Sequence, residues 1–191
     1  MELFAIFFKA FLSDNIVFMS FLALCPFIGM SSDENKSLGM GLAVTFVTVL
    51  ATCVTYPVFW FVLKPYGLDF LQTLAFILVI ASLVQLVEFY LKKCAPGLYN
   101  SMGIYLALIT TNCAILYVTL NNISRQYKFI EALIYSIGVA FGFLVALLLL
   151  AGIRGRIKSS PIPAFMKGTP ILFVSASLLS MAFMGFAGLV K

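Results

Sequence analysis

The sequence predicts an all-α integral membrane protein whose six transmembrane segments form a 3+3 inverted repeat. Of its 191 residues, 63% are hydrophobic and 10% are charged, whereas soluble domains are typically about 45–50% apolar and about 25% charged. The mean hydropathy is +1.11, and a soluble fold of this length could not bury so much apolar surface. Two further observations support this fold class. The chain contains long uncharged runs, and its two halves are faintly similar in sequence.

Six segments are long enough to cross roughly 30 Å of hydrocarbon, which takes about 20 helical residues. The runs from Ser37 to Leu63 and from Gly168 to Val190 contain no charge. The predicted spans are residues 3–29, 39–63, 70–91, 101–121, 130–153 and 169–190. We expect a single membrane domain over residues 1–191, because no loop is long enough for a soluble domain. Flavin or nucleotide chemistry would then belong to other chains.

Lysine and arginine residues in the loops predict the orientation, since cytoplasmic loops carry an excess of both. One side of the membrane would receive Lys36, Lys92, Lys93, Arg154, Arg156, Lys158 and Lys167, and the other side Lys64, Arg125, Lys128 and Lys191. We therefore expect the first side to be cytoplasmic and both termini to lie outside. This distribution accounts for the net charge of +5, so the sequence indicates no nucleic-acid partner.

The chain has four cysteines and no histidine. The lack of histidine excludes His-ligated haem, His-containing zinc sites and a His-dependent catalytic triad. The cysteines show no paired spacing, so a disulfide framework is not expected. A bound metal would need thiolate ligands, which favour iron–sulfur, zinc or copper(I). A single buried thiol commonly acts as a small hydrophobic side chain, and we interpret Cys53 and Cys94 in this way.

The surroundings of Cys25 distinguish it from those two thiols. In "LALCPFIG", Pro26 removes a backbone donor and disfavours the α conformation for the residue before it. Backbone groups freed in this way must find partners when they lie in hydrocarbon. Upstream, "SDN" at residues 13–15 is a cluster of helix N-cap residues. We therefore expect segment 1 to be interrupted, with a short helix from about Asn15 to Leu24 that delivers Cys25 to the break.

Cys113 has a comparable setting in segment 4, where "LITTNCAIL" places three polar residues directly before the thiol. Thr110 and Thr111 are equally well explained by bonding back to a helical carbonyl. Asn112 is a candidate to supply a hydrogen bond near the sulfur. Segment 4 is therefore also expected to be broken or half-spanning. The residues alone leave open whether Cys25 and Cys113 bind a metal or only fill space.

The two halves of the chain resemble each other faintly. "FLQTLAFILVIASLV" (70–84) aligns with "FMKGTPILFVSASLL" (165–179), and "GLAVTF" in segment 2 aligns with "GVAFGF" in segment 5. Segments 1 and 4 then occupy equivalent places. Repeats of three spans insert in opposite senses, which predicts a pseudo-two-fold axis in the membrane plane and interrupted helices that face each other near mid-depth. The repeats would cover about residues 1–95 and 96–191.

The same motifs resemble those of a known family. "LALCPFIGM", "LITTNCAIL" and the terminal "SMAFMGFAGLVK" look like the A subunit of the Rnf complex, the ion-translocating ferredoxin:NAD oxidoreductase of bacterial membranes. The resemblance covers essentially the whole chain and extends, more distantly, to the E subunit of the sodium-translocating NADH:quinone oxidoreductase. The pairs Pro26–Phe27 and Thr110–Thr111 favour the Rnf protein.

The resemblance implies an electron-transfer role in a redox-driven ion pump of the bacterial cell membrane. In this family the chain pairs with a homologous protein of opposite topology, the Rnf E subunit, and the pair holds an intramembrane [2Fe–2S] cluster with two cysteines from each partner. The matching positions are Cys25 and Cys113, with Pro26, Thr111 and Asn112 around them. Flavins, further iron–sulfur clusters and NAD would lie on the other Rnf proteins, B, C, D and G, and ferredoxin would act only through the complex.

Two other functions fit the same sequence features. Secondary transporters also use inverted repeats and broken helices, and Lys9, Asp14 and Glu88 would then be functional candidates as intramembrane charges. Glu88 is also explained as an interfacial residue paired with Lys92 four positions later. In the third interpretation the chain has a structural role in assembly, and both of its cysteines can be replaced without harm. The sequence leaves open whether sodium ions or protons are moved.

Overall fold

A computed structural model describes residues 2–13, 15–31, 34–67, 69–94, 109, 111–158, 161, 163 and 166–185. Every regular element in these ranges is helical, which confirms the predicted all-α class for this part of the chain. The α-helices are α1 (Glu2–Phe8), α2 (Ile16–Ser20), α3 (Leu24–Met30), α4 (Glu34–Val58), α5 (Gln72–Cys94), α6 (Cys113–Ser124), α7 (Phe129–Lys158) and α8 (Thr169–Met184). Two π-helical turns, Lys9–Ser13 and Phe59–Leu63, extend α1 and α4, and Lys64–Tyr66 adds one more turn after the second.

Three helical stretches among the described residues are long and apolar enough to cross a membrane, namely Lys36–Tyr66, Gln72–Tyr90 and Phe129–Ile157. They correspond to predicted segments 2, 3 and 5. The apolar helices α6 and α8 are shorter, with 12 and 16 residues. Much of predicted segment 4 (101–108 and 110) and the end of segment 6 (186–190) lie outside the described residues. The count of six spans and the 3+3 repeat therefore stay predictions.

The core forms where α4 and α7 pack along each other, which is the most extensive helix pair among the described residues. Val44 and Ala51 of α4 and Phe143 and Leu147 of α7 belong to one buried hydrophobic cluster, which also takes in residues of α2, α3, α5, α6 and α8. Because lipid tails are as apolar as these side chains, close packing holds membrane helices together more than hydrophobic burial does. Segment 1 packs against this helix pair.

Two glycines allow α1 to lie directly against α7. A Cβ on Gly138 would lie 2.9 Å from the Cβ of Ala10 and 3.0 Å from the carbonyl oxygen of Phe7. A Cβ on Gly142, one turn later, would lie 3.1 Å from the carbonyl oxygen of Phe11. Small residues at this four-residue spacing let helix backbones approach closely in a membrane. The start of segment 1 is thereby held at short range against the core.

Segment 1 is interrupted, as predicted. α2 ends at Ser20, and two non-glycine residues after it, Phe21 and Ala23, take the left-handed conformation with φ of 51° and 61°. This conformation is unfavourable by about 1–2 kcal/mol for an L-residue. α3 then begins at Leu24. Backbone strain is therefore concentrated directly before Cys25.

The break lies earlier than the sequence predicted. The expectation of a helix from Asn15 to Leu24 with its break at Cys25 is wrong, because Pro26 belongs to the first turn of α3. The first N–H groups of a helix have no intrahelical partner, so a proline there loses no hydrogen bond. In a continuous helix its ring would clash with the carbonyl of Leu22, which favours a break upstream of the proline.

Candidate metal centre

The two cysteine segments meet at the break in segment 1. The backbone N–H of Ala23 donates a hydrogen bond to Sγ of Cys113 at 3.0 Å. Cys25 follows two residues later, so its Cα lies within about 8 Å of the Cα of Ala23. Cys25 is exposed on the surface of the chain and Cys113 is half-buried. The structure therefore places the two predicted ligand residues at the same break.

Asparagine side chains cap the N-terminal ends of α2 and α6. Asn15 Oδ1 accepts a hydrogen bond from the N–H of Val17 at 3.2 Å, and Asn112 Oδ1 accepts one from the N–H of Ala114 at 3.0 Å. Asparagine is a favoured N-cap because its oxygen pairs with a donor that the helix leaves unpaired. The cap predicted from "SDN" is thus confirmed at Asn15. The second cap makes Cys113 the first residue of α6.

The surroundings of Cys113 suit a thiolate that binds metal. The N–H of Ala23 is directed at the sulfur. Asn112 Nδ2 is a second buried donor, on a side chain that is 5% exposed, and it has no acceptor among the described residues. N–H groups of this kind stabilise the negative charge on the sulfurs of an iron–sulfur site. Asn112 directly precedes Cys113 in the chain, so its amide is a candidate donor to a group bound at that thiol.

The break in segment 1 provides two thiols, those of Cys25 and Cys113, whereas a [2Fe–2S] cluster generally takes four. No group of three or more Cys, Asp, Glu or His side chains comes together within the described ranges. Cys25 nevertheless lies on the surface, where a second chain can reach it. The donor set therefore fits a cluster that is shared between two chains.

The other polar and thiol residues named from the sequence have varied positions. Thr111 is exposed in the turn before α6, and Pro26 is buried in α3. Cys53 is half-buried on α4. Thr110 lies outside the described residues, and the side chain of Cys94, at the end of α5, is not described.

Of the three candidate intramembrane charges, the two that the structure describes are not buried. Lys9 is exposed on the first π turn, and Glu88 is half-buried on α5. Asp14 lies outside the described residues. Among the described side chains, those that are both buried and polar are all neutral.

Two hydrogen bonds that sequence reasoning missed hold α2 in place. Asn15 Nδ2 donates to the carbonyl oxygen of Gly142 on α7 at 3.2 Å, and Ser180 Oγ of α8 donates to the carbonyl oxygen of Phe18 at 2.6 Å. Polar groups inside a membrane must be paired within the protein. A serine in a helix usually bonds back to its own helix, so no local signal could have identified Ser180.

Arg154 holds the other end of the broken segment. Its Nη1 donates to the carbonyl oxygen of Ile28 at 3.1 Å and to Ser31 Oγ at 3.0 Å. These groups lie at the C-terminal end of α3, where a cation interacts favourably with the last carbonyls of a helix. Sequence reasoning treated Arg154 only as a signal of orientation. In the fold it is a half-buried anchor of the helix that carries Cys25.

Comparison with known proteins places the whole chain in one group. The family model described as "Rnf-Nqr subunit, membrane protein" matches residues 3–190. The chain is 53% identical over 181 residues to the A subunit of the ion-translocating oxidoreductase complex of Syntrophotalea carbinolica, a match that covers 95% of this chain and 94% of that protein. It is 48% identical over 189 residues to the A subunit of the Na+-translocating ferredoxin:NAD+ oxidoreductase complex of Acetobacterium woodii, covering 99% and 98%. It is also 48% identical over 180 residues to the A subunit of the ion-translocating oxidoreductase complex of Vibrio parahaemolyticus, covering 94% of each chain. This chain belongs to the Rnf-Nqr family of membrane subunits.

Proposed function

We propose that this chain is the A subunit of an Rnf-type, ion-translocating ferredoxin:NAD oxidoreductase and that it carries electrons within the bacterial cell membrane. The relatives that it matches over nearly their whole length are named as subunits of such a complex. The observation that carries the proposal is the 3.0 Å hydrogen bond between the break of segment 1 and the thiol of Cys113. It supports a site that uses both cysteine segments at once.

Cys25 and Cys113 would provide two of the four thiolates of a [2Fe–2S] cluster. The other two would come from a homologous partner of opposite topology, the Rnf E subunit. When bound, the cluster supplies a one-electron carrier inside the membrane. Ala23 donates its N–H to Cys113 Sγ, and Asn112, the residue before Cys113, has a buried amide N–H without an acceptor among the described residues. N–H donors to the sulfurs favour the more negative, reduced state.

The surface beside Cys25 suits coverage by that partner. Met19 and Phe21 are 42% and 49% exposed and flank the break together with the exposed thiol of Cys25. The exposed thiol is the feature of this surface that a partner subunit would have to contact in order to share a cluster. The remaining Rnf proteins, B, C, D and G, would hold the flavins, the further iron–sulfur clusters and the NAD site.

The asparagine caps support the inverted repeat of this proposal. The sequence separation between Asn15 and Asn112 equals that between Gly41 and Gly138, the first residues of the matched stretches in segments 2 and 5. Both glycines lie at close helix contacts. Equivalent caps are expected if residues 1–95 and 96–191 are two copies of one unit inserted in opposite senses.

The test is the electron paramagnetic resonance (EPR) signal of the [2Fe–2S] cluster in the reduced complex, together with its iron and acid-labile sulfide content. Cys25→Ser and Cys113→Ser should each abolish or greatly reduce the signal, because a hydroxyl is a much poorer ligand for iron than a thiolate. Cys53→Ser and Cys94→Ser are the matched controls and should keep it. An intact signal in Cys25→Ser, or a loss confined to Cys53→Ser, would contradict the assignment.

A further inference from the structure

A cleft with a volume of about 500 Å³ lies where the end of α4, the start of α5 and the end of α6 meet. The helical stretch that contains α4 ends at Tyr66 and α5 begins at Gln72, and both are long and apolar enough to cross a membrane. The residues that line the cleft include Tyr56, Trp60 and Tyr127. Trp and Tyr are enriched at the membrane–water interface, so the cleft opens at the edge of the membrane, beside the lipid headgroups.

One wall of the cleft contains a buried hydrogen-bond acceptor. Asn122 lines the cleft and is 3% exposed. Its Nδ2 donates to Ser136 Oγ at 3.1 Å, while the Ser136 hydroxyl donates to the carbonyl oxygen of Ala132 at 2.7 Å. The amide nitrogen therefore faces Ser136, and Asn122 Oδ1 is left without a hydrogen-bond partner among the described residues. Because an unpaired buried acceptor is unfavourable, this oxygen indicates a ligand that donates a hydrogen bond.

The cleft also contains a positive charge. Lys64 is exposed, and its Nζ lies 3.6 Å from the centroid of the Trp60 ring. A cation over an aromatic face is attracted by the ring, and this attraction holds the ammonium group beside the cleft. Among the described residues that line the cleft, Lys64 is the one that carries a charge. The cleft therefore favours an anionic ligand that also has a hydrogen-bond donor for Asn122.

Large apolar side chains adjoin the cleft on both sides. Phe61 directly follows Trp60, and Phe70 lies two residues before Gln72. The two phenylalanines are 81% and 96% exposed. At the end of a membrane span, side chains of this kind contact lipid acyl chains. The ligand that fits the cleft and its surroundings therefore combines an anionic, hydrogen-bonding headgroup with an apolar tail.

We propose that the cleft binds an anionic phospholipid whose headgroup carries a hydroxyl, as in phosphatidylglycerol. The phosphate pairs with Lys64, and the headgroup hydroxyl donates to Asn122 Oδ1. A hydroxyl suits this acceptor better than the ammonium of phosphatidylethanolamine, because an ammonium would bring a second positive charge into the cleft beside Lys64. The acyl chains lie against Phe61 and Phe70, an apolar contact that a soluble phosphate ester lacks. This lipid site does not depend on the proposed [2Fe–2S] cluster.

Lipid binding can be measured at Trp60, the only tryptophan of the chain. The whole complex is purified and delipidated in detergent, and phospholipids with brominated acyl chains are added to quench tryptophan fluorescence. A complex with Trp60→Phe is the blank, so the difference between the two complexes isolates the Trp60 signal. Phosphatidylglycerol is compared with phosphatidylmethanol, which has the same charge but lacks the hydroxyl, and with phosphatidylethanolamine. We expect phosphatidylglycerol to bind about three- to tenfold more tightly than phosphatidylmethanol, the effect of about one hydrogen bond, and phosphatidylethanolamine to bind more weakly than phosphatidylglycerol.

Two variants test the headgroup contacts. Asn122→Leu removes the acceptor and should bind phosphatidylglycerol and phosphatidylmethanol equally. Lys64→Gln should weaken the binding of both lipids about tenfold, because a charge-assisted hydrogen bond is lost. The matched controls are Asn121→Leu, since Asn121 Nδ2 bonds to Tyr135 Oη at 2.7 Å, and Lys128→Gln, since Lys128 is exposed directly before α7. Both controls should bind the lipids as the wild type does.

A preference for phosphatidylglycerol that is lost in Asn122→Leu and kept in Asn121→Leu supports the lipid site. Equal affinities of the wild-type complex for phosphatidylglycerol and phosphatidylmethanol would overturn it, and this comparison needs no variant if Asn122→Leu fails to assemble. Equally tight binding of phosphatidylethanolamine would overturn the choice of an anionic lipid. Displacement of the brominated lipid by an equal concentration of glycerol phosphate would show that the cleft takes a soluble phosphate ester instead. Absence of Trp60 quenching would exclude a lipid at this cleft.

Discussion

The backbone N–H of Ala23 donates to the sulfur of Cys113 at 3.0 Å while Ala23 itself has a φ of 61°. Left-handed backbone at a non-glycine residue persists only where the surrounding structure holds it in place, and it clusters at functional sites. Ala23 is 1% exposed and belongs to the core cluster. The packing of the core therefore holds a strained donor against a thiol on another helix.

Substitutions at Ala23 should separate the backbone conformation from the hydrogen bond. Ala23→Gly should leave stability equal or higher, because glycine adopts positive φ without strain and keeps the N–H. Ala23→Val should destabilise the complex by about 1–3 kcal/mol, because a β-branched side chain tolerates positive φ poorly and overfills the core. Thermal unfolding of the purified complex, combined with the EPR signal, measures both effects. Equal stability of the two variants would show that the left-handed conformation is unimportant.

Asn112→Asp should separate two roles of this side chain, namely the cap that its oxygen provides to α6 and the N–H donor that its nitrogen provides. The carboxylate retains an oxygen for the N–H of Ala114, so α6 should still begin at the same place. The substitution removes Nδ2 and adds a negative charge near the thiol, which favours the oxidised cluster. We expect a lower midpoint potential in a redox titration followed by EPR. Asn15→Asp, at the cap of α2, should change the midpoint potential less. A larger shift in Asn15→Asp than in Asn112→Asp would contradict the role of Asn112.

Two glycines of α7 provide a matched pair for testing the contact with α1. Gly138→Ala should destabilise the protein by about 1–3 kcal/mol, because the added Cβ would lie 2.9 Å from the Cβ of Ala10 and overpacking is unfavourable. Gly152→Ala, on the same helix, should be neutral or slightly stabilising, because nothing lies within 4 Å of the added carbon and alanine favours helix. Thermal unfolding of the two variants in detergent measures the difference, and equal melting temperatures would exclude the close contact.

Arg154→Gln should loosen the C-terminal end of α3. The loss of charge-assisted hydrogen bonds to Ile28 and Ser31 should destabilise this helix end by about 1–3 kcal/mol and lower the amount of iron retained per complex. Iron content after a mild heat step measures this effect. Lys93→Gln is the control, because Lys93 is exposed on α5 and should retain iron as the wild type does. Equal iron retention in Arg154→Gln and Lys93→Gln would show that Arg154 does not stabilise α3 and serves only to orient the chain in the membrane.

The orientation of the chain is testable without the rest of the complex. The basic loop that contains Arg154 and Lys167 should face the cytoplasm, because basic residues are retained there, and both termini should lie outside. A C-terminal alkaline phosphatase fusion should therefore be active, and a C-terminal green fluorescent protein fusion should be dark. A fluorescent C-terminal fusion would reverse the assignment.

The class of the protein and several of its local features follow from the sequence alone. Apolar runs predict segments 2, 3 and 5, because only helices with paired backbone groups can cross a bilayer. The cap at Asn15 is equally local, since the side chain bonds to the N–H two residues later. The cysteine motifs also indicate the family, which the comparisons confirm.

The tertiary structure decides where the break falls and what lies beside it. Positive φ at Phe21 and Ala23 has no signal in residue type, because neither is a glycine, so the sequence placed the break at Cys25. The hydrogen bonds from Ser180 to Phe18 and from Arg154 to Ile28 join residues more than a hundred positions apart. Such bonds arise only after α7 and α8 have packed against the broken segment. Helical periodicity and capping act within a few residues, whereas these contacts depend on the angle and depth at which whole helices meet.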